Sequence, residues 1–186
     1  MITSVKDLRF YINEDTKRNR DSKYPLSLSY ICGSESARVV SYLKTLRKLE
    51  YFTNVTSDGV GGMYHKLACW YYRIRLHQKS VKYGIWIYPN MVGYGLKILH
   101  IGGIHINCFA MGNYCEITQG VVVGNKGGDN ERAVIGNNVQ LTLGCKVIGK
   151  VMIGDNVVVA PNSVVIKDIP ANCIVSGVPA VIIKRK

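Results

Sequence analysis

Four histidines are the side chains best suited to acid–base chemistry at neutral pH. An imidazole with its ordinary pKa of about 6.5 both accepts and returns a proton near pH 7. His100 and His105 lie close together in the second half of the chain, whereas His65 and His77 lie in a segment with a helical pattern. No His-x-x-x-His or Cys-x-x-Cys pair occurs. The sequence therefore predicts general acid–base chemistry rather than a metal site.

A hexapeptide repeat predicts the structure that positions these histidines. An even period keeps its anchor residues on one face of a strand, and three short strands per turn wind a triangular prism with the anchors inside. The expected fold class is mainly β: a parallel β-helix over residues 84–186, with a helical N-terminal region over residues 1–83. A branched aliphatic residue returns every six positions at Ile135, Leu141, Val147, Ile153, Val159 and Val165.

Earlier anchors follow the same period with two interruptions. The 19 residues from Val92 to Met111 predict a bulge near residues 108–110. The 24 residues from Met111 to Ile135 predict that residues 124–133 leave the prism as an extruded loop. Because loops rich in glycine and charge commonly carry function, we expect this loop to contact a ligand. The earlier anchors are Val92, Ile98, Ile104, Met111, Ile117 and Val123.

The N-terminal region shows helical periodicity over about Val5–Thr16, Glu35–Tyr51 and Met63–Lys79. An apolar stripe on the third segment predicts a packing surface, and capping the open end of the prism is the simplest role for the region. Contact of this segment with lipid is the less favoured alternative. The stripe consists of Met63, Leu67, Trp70, Tyr71 and Ile74.

The charge balance indicates a polyanionic partner. Lys and Arg outnumber Asp and Glu by 24 to 12, and residues 1–83 hold 15 basic and 7 acidic side chains. Such an excess suits nucleic acid, an anionic lipid surface or a phosphate-bearing ligand. No nucleic-acid recognition motif is present, so nucleic acid is not expected, and neither is membrane contact. The first residues lack a secretory signal pattern, which predicts a cytoplasmic protein.

Several phrases carry a resemblance to a known family. They are Gly95–His100, the loop phrase Gly124–Asn130, Val164–Pro170 and Ser176–Ala180. With these, the chain resembles the left-handed β-helix acyltransferases, and in particular serine O-acetyltransferases and colanic acid (capsule) acetyltransferases. The resemblance implies a homotrimer that binds acetyl-CoA between neighbouring subunits, without a metal, and uses His100 as general base. Removing the proton of an attacking alcohol is a task that suits an imidazole.

The resemblance also implies coenzyme-binding residues at matching positions. The acceptor contacts and the cationic tail are expected from residue type and proximity, and by the same criterion His105 is the alternative general base. The acceptor would contact the second histidine of the prism and the extruded loop, while the coenzyme would contact the root of the loop, two later corners of the prism and the basic C-terminal tail. The expected acceptor contacts are His105, Asp129, Asn130 and Glu131. The expected coenzyme contacts are Gly124, Asn125, Gly144, Ala160, Pro161 and Lys184.

Three departures from serine acetyltransferases concern the acceptor. Leu99 stands where those enzymes carry an aspartate, the loop lacks their second histidine, and the strand Ile85–Tyr88 lacks their carboxylate. They favour a sugar hydroxyl in surface polysaccharide biosynthesis as acceptor. L-Serine, in cysteine biosynthesis, is the alternative. A non-catalytic β-helix scaffold or polyanion-binding protein is the alternative of another class.

Overall fold

A computed structural model describes residues 1–20, 31–57, 59, 62–125, 127 and 131–186. The chain forms two compact units, Met1–Gly84 and Ile85–Lys186. The first is helical and the second is a parallel β-helix.

Three helices make up the described part of the N-terminal unit: α1 (Val5–Asn19), α2 (Glu35–Ser57) and α3 (Met63–Tyr83). A capping box fixes the start of α1, because the Asp7 amide donates to Ser4 Oγ at 3.1 Å and the Asp7 carboxylate accepts from the Ser4 amide at 3.0 Å. The helical segments predicted from periodicity are confirmed, and each extends several residues further at its C-terminal end.

A buried ion cluster joins α1 to α2. The Arg47 guanidinium donates to Asp15 Oδ2 at 2.8 Å and to Glu50 Oε2 at 3.0 Å, and all three side chains are buried. Burial alone would lower the pKa of Arg47, but the Glu50 and Asp15 carboxylates outweigh it and raise that pKa. The cluster thus depends on both carboxylates to compensate the desolvated cation.

The apolar stripe of α3 does not pack inside the N-terminal unit, and the capping role expected for this region stays a prediction. Helix α3 instead contacts α2 through its opposite side, where Tyr72 stacks on Phe52 at 5.5 Å between ring centroids and Lys79 Nζ donates to the Ser41 carbonyl at 2.7 Å. The five stripe residues, which we call the α3 stripe, are 38% to 71% exposed. Helix α3 has two apolar sides, and the periodicity could not show which one meets α2.

The second unit contains short strands, and those of the described residues fall into three sheets that form the faces of a prism. Face A has the order β1-β3-β6-β9-β12, face B β4-β7-β10, and face C β2-β5-β8-β11-β13-β14. In chain order they are β1 (Ile85–Ile87), β2 (Lys97–Leu99), β3 (Ile104–Ile106), β4 (Ala110–Met111), β5 (Glu116–Thr118), β6 (Val122–Gly124), β7 (Val134–Ile135), β8 (Gln140–Leu141), β9 (Lys146–Ile148), β10 (Met152–Ile153), β11 (Val158–Val159), β12 (Val164–Val165), β13 (Cys173–Gly177) and β14 (Ala180–Arg185).

The strand registers confirm the hexapeptide interpretation. Ile135 pairs with Ile153 in parallel, one 18-residue coil later, and the anchor side chains are buried in the prism. Met111 pairs with Ile135 across 24 residues, so six residues beyond a regular coil leave the prism between β6 and β7. The fold is the expected left-handed β-helix of hexapeptide repeats, with an antiparallel hairpin of β13 and β14 at its end.

The early irregularity lies at a different corner from the one predicted. Val92 bridges Met111 as expected, but the residue of β3 that pairs with Val123 is Ile106, not Ile104. The step from Ile98 to the next anchor is therefore eight residues instead of six, and the widened corner surrounds His100 rather than residues 108–110. Since Ile104 and Ile106 are both buried, their aliphatic pattern alone did not show the shift.

Two edges of the prism carry the residues selected from the sequence. The His100 edge joins face C to face A, and the loop edge joins face A to face B. The His100 edge consists of residues 100–103, 119–121, 143–145 and 160–163, and the described part of the loop edge includes residues 107–109, 125, 127, 131–133 and 149–151.

A column of residues with left-handed backbone allows the coils to approach along the His100 edge. Gly120 has φ +73°, and a Cβ atom there would lie 3.4 Å from Gly144 Cα. The other corner of face C carries a ladder of side-chain amides, in which Asn138 donates to Asn156 at 2.9 Å and Asn156 to Asn172 at 2.8 Å. These contacts fix the stacking of the coils at their corners.

Among the described helices, none combines the length and the hydrophobicity that crossing a bilayer requires.

Candidate active site

His100 occupies the widened corner of the prism and is exposed. It follows the last residue of β2 and has φ +65°, a left-handed conformation that side chains other than glycine seldom adopt. Gly102 and Gly103, also at positive φ, complete the corner. His100 is therefore exposed, has an uncommon backbone conformation and lies between two regular strands, which makes it a candidate functional residue.

Backbone hydrogen bonds between coils hold the His100 edge rigid. The Gly120 amide donates to the Gly102 carbonyl at 2.9 Å, and the Gly144 amide donates to the Gln119 carbonyl at 3.0 Å. One coil further, the Asn162 amide donates to the Leu143 carbonyl at 2.8 Å. The backbone of successive coils is therefore hydrogen-bonded along this edge, starting from the coil of His100.

Three of the expected coenzyme contacts lie on the His100 edge. Gly144 lies two coils beyond His100, and Ala160 and Pro161 lie three coils beyond it on the same edge. Strands in a sheet are about 4.8 Å apart, so these positions lie roughly 10 and 14 Å along the edge from His100. The spacing suits an extended ligand that runs along the edge.

His105 lies on the outer side of face A and not on the His100 edge. It pairs with Trp86 of β1 and Val122 of β6, and its ring lies 6.1 Å from the Tyr88 ring in an edge-on contact. The side chain is half-buried. Its position beside the edge is compatible with contact to an acceptor, which stays a prediction.

The remaining expected contacts lie elsewhere. Gly124 and Asn125 are on the loop edge, where the Gly124 carbonyl accepts from the Gly149 amide at 2.9 Å. Glu131 is exposed on the same loop, and Asp129 and Asn130 lie outside the described residues. Lys184 is exposed on β14, paired with Ile174 at the far end of face C. On a single prism the described members of this set, Gly124, Asn125, Glu131 and Lys184, do not converge with His100.

Two polar contacts near the His100 edge were not predicted. Lys97 Nζ lies 3.2 Å from Glu116 Oε2 on face C, and Lys146 Nζ donates to the Gly120 carbonyl at 2.6 Å. The sequence could have predicted the first contact, because Lys97 and Glu116 each precede an anchor residue in consecutive coils. The second contact depends on the bend of the edge, which no residue pattern shows.

Two buried cysteines of the prism, Cys145 and Cys108, are poor nucleophiles. Burial raises the pKa of the Cys145 thiol, next to Gly144, to about 12. Burial likewise raises the pKa of the Cys108 thiol to about 12. Both are neutral thiols near pH 7, which argues against a cysteine-bound intermediate at this edge. Among the residues the structure describes, no group of three or more His, Cys, Asp or Glu side chains has the proximity to hold a metal ion.

The combination of repeat, fold and edge defines a resemblance to left-handed β-helix acyltransferases. No family model matches the sequence. Serine acetyltransferase from Synechococcus elongatus is 36% identical over 133 residues, which cover 65% of this chain and 54% of that protein. Serine acetyltransferase from Staphylococcus aureus is 36% identical over 106 residues, which cover 55% of this chain and 50% of that protein. The chain thus spans about half the length of these curated relatives.

Solved structures show the same fold over almost the whole chain. Serine acetyltransferase from Brucella abortus matches with a TM-score of 0.71 at 24% identity, covering 98% of this chain and 71% of that one. The same enzyme has been solved in complex with coenzyme A, with a TM-score of 0.69 at 23% identity, covering 98% of this chain and 70% of that one. Serine acetyltransferase from Neisseria gonorrhoeae in complex with serine matches with a TM-score of 0.69 at 23% identity, covering 97% of this chain and 71% of that one.

These comparisons correct the expected acceptor. The relatives named above are serine acetyltransferases, and none of them supports a role in polysaccharide biosynthesis. The three departures at Leu99, the loop and β1 do not by themselves identify a sugar acceptor, because a missing contact shows what is absent without showing what replaces it. L-Serine, the alternative, is the better supported acceptor.

Proposed function

We propose that the protein is an acetyl-CoA-dependent O-acetyltransferase that transfers the acetyl group to the hydroxyl of L-serine. The observation that carries the proposal is the 36% identity to a serine acetyltransferase over 133 residues, together with the same β-helix fold. The exposed histidine at a widened corner is consistent with this chemistry.

In this proposal His100 acts as general base. Its imidazole accepts the proton of the serine hydroxyl while the oxygen attacks the thioester carbonyl. The tetrahedral intermediate collapses with cleavage of the carbon–sulfur bond, and the proton passes from the imidazolium to the leaving thiolate. O-Acetylserine and coenzyme A are the products, so atoms and charges balance. The exposure of His100 leaves its imidazole accessible to an acceptor.

The coenzyme would lie along the His100 edge, with the pantetheine arm passing Gly144, Ala160 and Pro161. Absence of bulky side chains at Gly144 and Ala160 lets an extended chain approach the backbone. Lys184 supplies an exposed cation toward the coenzyme phosphates. Rigid positioning of donor and acceptor in one groove lowers the entropic cost of their encounter.

A homotrimer would complete the site. Gly124 and Asn125 lie across face A from the His100 edge, roughly 10 Å away along a three-residue strand. In the proposed trimer, the loop edge of one subunit would lie against the His100 edge of its neighbour. The exposed Glu131 of the loop would then face the acceptor, and its carboxylate would compensate the serine ammonium group, since position 99 is a leucine.

An acceptor assay tests the proposed function. The purified protein is incubated with acetyl-CoA and L-serine, free thiol is measured, and O-acetylserine is identified by mass spectrometry. L-Alanine, which lacks the hydroxyl, is the matched control and is expected to give no thiol release above hydrolysis. Turnover with a saccharide and none with L-serine would contradict the proposal.

A further inference from the structure

The α3 stripe is an exposed apolar surface on a helix whose opposite side is already occupied. Toward α2, the Tyr72 ring stacks on Phe52, Lys48 Nζ lies 5.4 Å from the Tyr72 centroid, and Leu76 is buried. At about 100° per residue, the stripe lies on the other side of the helix. Val81, 64% exposed, falls on the same line and lengthens the surface toward the end of α3.

Basic side chains border the α3 stripe on both sides. By the same helical geometry, Lys66 and Arg73 lie along one border and Arg75 and Lys82 along the other, and all four are exposed. Helix α3 contains no aspartate or glutamate. An apolar centre that includes Trp70 and Tyr71, bordered by cations, is the composition of helices that lie in a lipid interface.

We propose that the α3 stripe binds the surface of an anionic phospholipid bilayer, with α3 parallel to the membrane plane. Apolar side chains of the stripe insert at the boundary between headgroups and acyl chains, and the bordering cations contact lipid phosphates. Positions 1–83 hold 15 basic and 7 acidic residues, and this positive excess adds a long-range attraction to the anionic membrane. This reverses the sequence-based expectation that the protein makes no membrane contact.

Charge complementarity favours lipid over a symmetric pairing of two α3 helices. A symmetric pairing of two α3 helices through their stripes would bring the bordering cations of both together without a carboxylate on either helix. An anionic bilayer supplies the opposite charge along the whole border. The proposal is independent of the acetyltransferase activity, since the His100 edge belongs to the other unit.

Vesicle co-sedimentation of the full-length protein tests the proposal. Vesicles of phosphatidylcholine with an equal part of phosphatidylglycerol are compared with vesicles of phosphatidylcholine alone. The protein is expected to sediment with the first and much less with the second. In Arg73→Gln/Arg75→Gln the partition should weaken about twentyfold, near fivefold per charge. In Leu67→Gln/Trp70→Gln it should weaken at least about tenfold.

Matched controls remove the same groups elsewhere in the N-terminal unit. Lys6→Gln/Arg9→Gln takes two exposed cations from α1, and Phe10→Gln takes an exposed aromatic from the same helix. The partition of both variants onto anionic vesicles should stay within about threefold of that of the unchanged protein, because Lys6, Arg9 and Phe10 lie outside the α3 surface. Circular dichroism verifies that every variant keeps its helices.

Three results would overturn the proposal. They are a lack of binding to anionic vesicles, equal loss in the α1 controls and the α3 variants, and unchanged binding of Leu67→Gln/Trp70→Gln. If that stripe variant alters the oligomeric mass in sedimentation velocity while vesicle binding persists, the stripe is a contact between copies of the chain instead.

Discussion

At the scale of single residues, two features show how the fold accommodates polar side chains, one at the surface and one in the interior. His100 is accommodated at the surface by a left-handed corner, and Arg47 is accommodated in the interior by two carboxylates. The sequence indicated His100 through its chemistry and motif. It did not indicate Arg47, since its partner Asp15 is 32 residues away and only the packing of α1 on α2 brings them together.

Removing the buried cation should destabilise the N-terminal unit strongly. Arg47→Met leaves Asp15 and Glu50 buried without their partner, and breaking a buried pair in this way costs about 3–5 kcal/mol. Urea denaturation measures the change. The control Lys17→Ala removes the exposed ion pair with Glu14 and should cost less than about 1 kcal/mol. Similar effects of the two substitutions would show that the buried cluster carries no special role.

Lys79 should make stability depend on pH in the alkaline range. Burial first, and then the positive charges of Arg75 and Lys48, lower the pKa of Lys79 to about 8 from its ordinary 10.5. The folded state therefore releases this proton more readily than the unfolded state, so the cost of the charged amine is present below pH 8 and is lost as the pH rises to 10.5.

Comparison with a variant isolates this effect. Relative to Lys79→Met, the unchanged protein should gain stability between pH 8 and 10.5, measured as the difference in urea midpoints across that window. A difference that stays constant, or that shrinks with rising pH, would contradict the lowered pKa.

At the scale of elements, the predictable part of the fold was the part with a strict period. Six anchors in step fixed the strands from Ile135 onward, and the 24-residue spacing located the loop. Where aliphatic residues occur at both alternatives, as at Ile104 and Ile106, the sequence could not choose the register. It also could not choose the packing side of α3, because both sides are apolar. The sequence therefore could not predict the widened corner at His100, because that corner results from the shift of the anchor from Ile104 to Ile106.

The glycine column along the His100 edge should be sensitive to a single added methyl group. Gly120→Ala forces a side chain into a left-handed conformation at φ +73°, so we expect a loss of about 1–2 kcal/mol in the urea unfolding free energy. The added Cβ itself makes only an ordinary contact, at 3.4 Å from Gly144 Cα. Gly124→Ala is the matched control, because nothing lies within 4 Å of its Cβ and its φ is not positive. Equal stability of the two variants would contradict the left-handed conformation at position 120.

At the scale of the whole molecule, the two units divide the charge unequally. The helical region carries most of the positive excess, and the β-helix carries the edges assigned to catalysis. The proposed trimer concerns the second unit, where residues from two edges must meet. The proposed membrane contact concerns the first.

The most direct measurement compares thiol release from acetyl-CoA in the presence of L-serine between the unchanged protein and His100→Ala, with coenzyme A binding measured on both by calorimetry. General-base catalysis by His100 predicts that the variant loses at least about a hundredfold in turnover while it binds coenzyme A with unchanged affinity. Turnover that survives the substitution, or a variant that loses coenzyme binding together with turnover, would contradict the assignment of His100 as the base.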